Sequence, residues 1–168
     1  MFHRILVAVD DSRSAREALQ RAVELVEASH GRLGLLSSAP KPPPMAPGPV
    51  ALPVSHRQIE QELLEWAQRN VEDAARLVPE EIPVTKLVTR GAPGRALLRE
   101  ARTGCWDLIV VGQAHRRFHV RRVGDWLNRR SPTPVLVVHE EPDVTLRKPR
   151  TGLRGRWPRR RRAQVTTA

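Results

Sequence analysis

One cysteine, Cys105, occurs in 168 residues. That scarcity excludes an internal disulfide and a cysteine-based zinc cluster. Cys105 stands beside Trp106 and reads as a small apolar filler. Long hydrophobic runs are missing too, and none approaches the roughly 20 residues needed to span a bilayer. The opening MFHRILVAVDDS sets acids directly after a short apolar run, unlike a secretory leader, so a cytoplasmic protein is expected. No Ser–His–Asp order, glycine-flanked nucleophile or paired-carboxylate motif is present, and no enzyme is expected. Acid is absent from residues 144–168, which hold nine basic residues, Arg147 and the four arginines 159–162 among them. Removing those nine charges from a formal net charge of +11 leaves residues 1–143 at +2. The excess charge therefore sits in a tail.

What remains is an alternation of strands and helices. RILVAVD (4–10) is a continuous apolar run of the kind buried on both faces of a parallel sheet. A helix follows, with Ser14 and Glu17 spaced as a capping box and Leu19, Ala22, Val23 and Val26 at helical spacing. Gly31 stops it before a second strand, 32–38. Residues 40–53 hold seven of the fifteen prolines, so 40–54 reads as a stiff connector that can neither pair in a sheet nor continue a helix. Ser55 and Gln58 offer a second capping box, opening a helix to about Val78 through Ile59, Leu63, Val71 and Ala74. A third strand (82–91), a third helix beginning at Pro93, a fourth strand ending at Gly112, a short helix (120–130) and a fifth strand (134–139) complete the pattern. Trp66 and Trp126 fall at near-core helical positions and read as packing residues. Alternation of this kind calls for right-handed βαβ units and a three-layer α/β sandwich over residues 1–141. Residues 142–168 are charged, interrupted by Pro and Gly, and expected to be disordered.

Four stretches in this order resemble the universal stress proteins. ILVAVDDSRSAREAL is similar to the family's first strand, acidic strand end and helix start. VTRGAPGRALL is similar to its strand–Gly-x-Pro–helix passage, and DLIVVG followed by SPTPVLVVH to its closing strands. The resemblance covers residues 2–140. It implies an open five-stranded parallel sheet ordered 3-2-1-4-5. It also implies a homodimer through strand 134–139 and a role in stress response rather than metabolic catalysis.

ATP-binding members of that family carry Gly-x2-Gly-x9-Gly-Ser/Thr after the fourth strand. Here Gly112 matches the first glycine, and His115 stands in the second glycine's place. Aligning the following helix on Val123 and Leu127 puts Arg121 and Arg122 at the third glycine and the hydroxyl. Only five residues then separate His115 from Arg121. A second register matches Gly124 and Asp125 to that pair, and shortens the helix by nearly a turn. Neither restores the motif. Losing two charge-assisted backbone contacts to phosphate costs about 3–6 kcal/mol, or two to four decades of affinity. Binding of ATP in the family's manner is therefore not expected.

Asp10 ends the first strand, where the family's acids contact the nucleoside. It also suits an ordinary acid helping the next helix to start. Asp10, Gly112, His115, Arg121 and Arg122 form the candidate, degenerate nucleotide site. The alternative is an ATP- or other adenine nucleotide-binding protein in which Arg116, Arg117, Arg121 and Arg122 replace the missing glycines. A third possibility is a charge-driven polyanion contact, to nucleic acid or anionic membrane, through residues 144–168. His115 and His119 could ligate a metal on a helix, but no acid or cysteine nearby completes a set, and no metal is expected.

Overall fold

In the computed structural model, which describes residues 1–42, 56–113 and 123–139, the apolar runs pair side by side in one sheet. The chain runs β1 (Arg4–Ala8), α1 (Arg13–Ser29), β2 (Arg32–Ala39), α2 (His56–Ala75), β3 (Val84–Arg90), α3 (Pro93–Arg102), β4 (Leu108–Gln113), α4 (Val123–Asn128), β5 (Val135–His139). All neighbours pair in parallel and the order is β3-β2-β1-β4-β5. This is the expected three-layer α/β sandwich. The tail and most of the proline-rich connector lie outside the described residues.

Period-2 alternation decides which side chain meets which layer. In β1, Ile5 and Val7, followed by Val9 just beyond the strand, enter one core with α1 and α2, while Leu6 enters the other with α3 and α4. In β4, Leu108 and Val110 face the first core, and Ile109 and Val111 the second. Ile5, Leu6 and Val7 are 0% exposed, so these continuous apolar runs belong to strands covered on both sides. Each such side chain contributes on the order of 1.5–3 kcal/mol by leaving water. Gly34 leaves room on β2 for the Trp106 indole, whose ring carbon would lie 2.2 Å from any added Cβ.

The helices carry three corrections to the sequence reading. The N-cap of α1 is Ser12, whose Oγ accepts the Ala15 N–H at 3.1 Å. Ser14 is inside the helix and buried, and Glu17 pairs with Arg13 at 3.0 Å, so the expected capping box does not form. The helix is ended by His30 rather than by Gly31: His30 takes the left-handed conformation (φ 51°), and its N–H turns back to the Glu27 and Val26 carbonyls. Helix α2 stops at Ala75, although Val78 still packs into the core from the turn beyond. Ser55, its expected cap, lies outside the described residues. Cys105 is exposed rather than a filler, because it sits in the turn before β4 with its Sγ 3.8 Å from the Thr103 carbonyl. Trp126 does pack against the second core, and Trp66 is half-buried.

At the amino ends of the two central strands, Arg4 Nη2 donates to Asp107 Oδ1 at 2.9 Å. The His3 and Arg4 backbone N–H groups both donate to Asp107 Oδ2, at 3.2 and 3.0 Å. The guanidinium hydrogen bond, above all, holds the Asp107 carboxyl below its ordinary range against the opposing effect of burial. A carboxyl depressed in the folded state stabilises above its unfolded pKa, about 3.9, and loses that contribution as pH falls through the folded value. Asp107→Asn should therefore lower the urea midpoint at neutral pH, with the gap to wild type closing as pH drops below about 4. A gap that stays constant across the acid range would show that the charge on Asp107 contributes nothing.

Candidate functional site

Strands β1 and β4 are neighbours, yet the chain leaves them toward opposite layers, α1 on one side and α4 on the other. Connections that part in this way open a crevice beyond the carboxyl ends of the strands, where open α/β sheets take ligands. Asp10 and Gly112 both stand at that end. Asp10 is exposed and its Oδ1 accepts the Ser12 N–H at 2.9 Å. It thus fixes the residue that caps α1, one step removed from the cap itself. Ser12 Oγ lies 3.2 Å from Ser14 Oγ, and Arg16 reaches back to the Asp11 carbonyl at 3.0 Å. The β1–α1 turn is held by its own polar groups.

Gly112 is fixed by packing. A Cβ there would lie 2.2 Å from the Ser14 carbonyl oxygen and 2.7 Å from the Ala15 nitrogen. The end of β4 can approach the first turn of α1 only without a side chain. Gln113, the next residue, is buried, and a Cβ on Gly124 would come within 3.3 Å of its Oε1. Gly124 itself, in the first turn of α4, presses on Val137 of β5, while Asp125 is exposed. His115, Arg121 and Arg122 lie outside the described residues, as do Arg116, Arg117 and His119, so Asp10 and Gly112 are the candidate residues that the fold brings to one end of the sheet. Among the described residues, no three metal-ligating side chains converge and no helix is long and apolar enough to cross a membrane.

Beside Asp10, between α1 and α2, is a cleft of about 120 Å³ lined by Val9, Asp11, Arg16, Leu19, Asn70, Asp73 and Leu77 among others. Small-molecule sites commonly enclose about 300–1,000 Å³. Asp10, Asp11 and Asp73 give the rim three carboxylates against Arg16 and against Arg76, which holds Asp73 at 3.1 Å, a balance that is net negative by one and disfavours phosphate. Asn70 is the polar residue in its wall that sequence reading missed. It is 8% exposed, and its amide nitrogen is buried without a partner. Its signal was positional: Asn70 falls among Ala67, Val71 and Ala74, on the buried stripe of α2.

A doubly wound sheet with a crevice at the β1/β4 divergence defines the class of open α/β domains that offer a ligand crevice at a topological switch point. Within that class, residues 1–139 match the model of the universal stress protein family, and the chain belongs to it. A universal stress family protein from Burkholderia pseudomallei is 27% identical, with a TM-score of 0.63, covering 81% of this chain and 95% of that one. A universal stress protein from Archaeoglobus fulgidus in complex with dAMP is 17% identical, with a TM-score of 0.58 over 80% and 96% of the two chains. An Arabidopsis thaliana family protein with AMP bound is 19% identical, with a TM-score of 0.51 over 84% and 94%. A comparison with curated proteins found no match.

The tight approach at Gly112 makes its own test. Gly112→Ala should destabilise the fold by about 1–3 kcal/mol, because strand and helix must separate to admit a methyl group. Denaturant titration measures it. A variant as stable as wild type would mean that the contact yields freely, and that Gly112 has no packing reason to be glycine.

Proposed function

We propose that this chain is a non-catalytic, cytoplasmic stress-response protein of its family that does not hold ATP in the family's manner and acts as a homodimer. One observation carries the reading. Of the three motif glycines, the alignment on Val123 and Leu127 keeps Gly112 alone, and Gly112 is accounted for by its contact with Ser14. The residue that most resembles a phosphate loop is thus explained without phosphate. The acidic rim beside Asp10 supports the same conclusion.

A second reading is favoured by the family structures that hold AMP and dAMP. In it, Asp10 contacts the nucleoside and Arg116, Arg117, Arg121 and Arg122 hold the phosphates. Calorimetry with ATP separates the two. No heat of binding at micromolar concentration is expected. A low-micromolar dissociation constant, lost on Asp10→Ala, would establish the nucleotide-binding reading instead.

Dimerisation is supported by the contrast between the sheet's two edges. β3 presents Thr85, Lys86 and Arg90 beside the exposed Val88, with Lys86 paired to Glu72 at 2.6 Å. β5 reads VLVVH, and Leu136 is 37% exposed. An apolar, unprotected edge favours pairing with a second chain, and a two-fold axis lets the same strand serve both copies. Sedimentation at tens of micromolar should give a dimer, and Leu136→Lys should shift it to monomer by setting like charges across the axis. A wild-type monomer at that concentration would refute the assembly.

A further inference from the structure

Charge is divided unequally between the two helical layers. Helix α2 carries Glu60, Glu62, Glu65, Glu72 and Asp73 against Arg57 and Arg69. Helices α3 and α4 with the turn after α4 carry Arg95, Arg99, Arg102, Arg129 and Arg130 against Glu100 and Asp125. All five arginines are exposed. On the α1/α2 side, Arg13, Arg21 and Arg76 each hold a carboxylate at 2.9–3.1 Å. On the α3/α4 side, no carboxylate among the described residues pairs with any of the five. Arg129 donates to the Asp125 carbonyl at 3.3 Å, and Arg130 lies 5.0 Å over the Trp126 ring. Their charge faces solvent without a carboxylate partner among the described residues.

We propose that the arginine face of α3 and α4 is a docking surface for nucleic acid, held through the phosphate backbone without regard to base sequence. Arg95, Arg99 and Arg102 are spaced i, i+4, i+7, so they form one stripe rising about 10 Å along the helix. A nucleic-acid strand offers a phosphate about every 3.4 Å of duplex axis, so such a stripe faces on the order of three of them. Every cation on the face is arginine, whose planar fork matches phosphate oxygens in pairs. A membrane surface fits less well, because Val123 is the one large apolar side chain exposed on this layer among the described residues. Nothing here projects a helix into a groove. The contact is therefore to backbone, and specificity for bases is absent. The surface belongs to the folded body and is independent of the basic residues 144–168.

The test uses the full chain, tail included, and fluorescence anisotropy with a short DNA duplex over a salt series. The triple variant Arg95→Gln/Arg99→Gln/Arg102→Gln is compared with Arg21→Gln/Arg57→Gln/Arg69→Gln, which removes the same charge from the other layer. The first should bind about tenfold or more weakly at low salt, with the log–log salt slope shallower by about 2–3. The second should stay near wild type, and a shuffled duplex should behave as the original does. If the two triples bind alike, net charge or the tail accounts for binding and the proposal fails. If the first triple loses binding to phosphatidylserine vesicles while duplex binding is unchanged, the face serves a membrane and the proposal is overturned. Thermal unfolding checks that the variants are folded. Should the triple not fold, Arg99→Glu alone must weaken duplex binding several-fold, and an unchanged affinity sinks the idea.

Discussion

Everything in this molecule depends on the burial of β1 on both faces. Ile5, Leu6 and Val7 have no exposed surface, and their alternation sends Ile5 and Val7 to one layer and Leu6 to the other. A strand so placed needs helices above and below it, and paired strands on both edges, before its backbone and side chains are all satisfied. Crossovers that keep one hand can meet that demand only by winding outward from β1 in two directions. The β3-β2-β1-β4-β5 order follows, and so does the crevice where the two directions part.

That crevice is inherited from the architecture, whether or not a ligand uses it. The residues there are largely occupied in holding the fold. Asp10 braces the turn that caps α1, Arg16 ties back to the same turn, and Gly112 admits the helix to the strand end. After Gly112 the next glycine is Gly124, so the closely spaced glycine N–H groups of the ATP-binding motif are not present there. The arginines of α3 and α4 show the opposite economy. Apart from Arg130 over the Trp126 ring and Arg129 on the Asp125 carbonyl, their side chains make no polar or ring contact among the described residues, and neither Glu100 nor Asp125 pairs with any of them.

Arg4 and Asp107 illustrate how distant pieces of sequence are made to cooperate. They lie 103 positions apart, yet each belongs to the start of a central strand. Once β1 and β4 pair, the carboxylate receives a guanidinium and two backbone N–H groups at once. Neither residue carries any mark of this in its local sequence.

Much of the fold was legible in the chain because it rests on local periodicity. Two-sided apolar runs give buried parallel strands, and apolar residues at helical spacing give covering helices. The family resemblance supplied the order of the sheet. Local polar detail was less legible. Ser12, Ser14 and Glu17 all suit a helix start, and only the path of the chain out of β1 made Ser12 the cap. His30 ends α1 because the turn needs a left-handed residue one place earlier than the glycine. Cys105 is apolar enough to be buried, but the turn before β4 leaves it in water. Asp10 and Gly112 were singled out from sequence as candidates, whereas Asn70 was not, since an amide among apolar positions shows its lack of a partner only once the layers close over it. Sequence by itself determined the layers, the central strands and the excess of arginine. Tertiary structure decided which polar atoms are satisfied and which charges remain unpaired, because both depend on neighbours that the chain brings together only by folding.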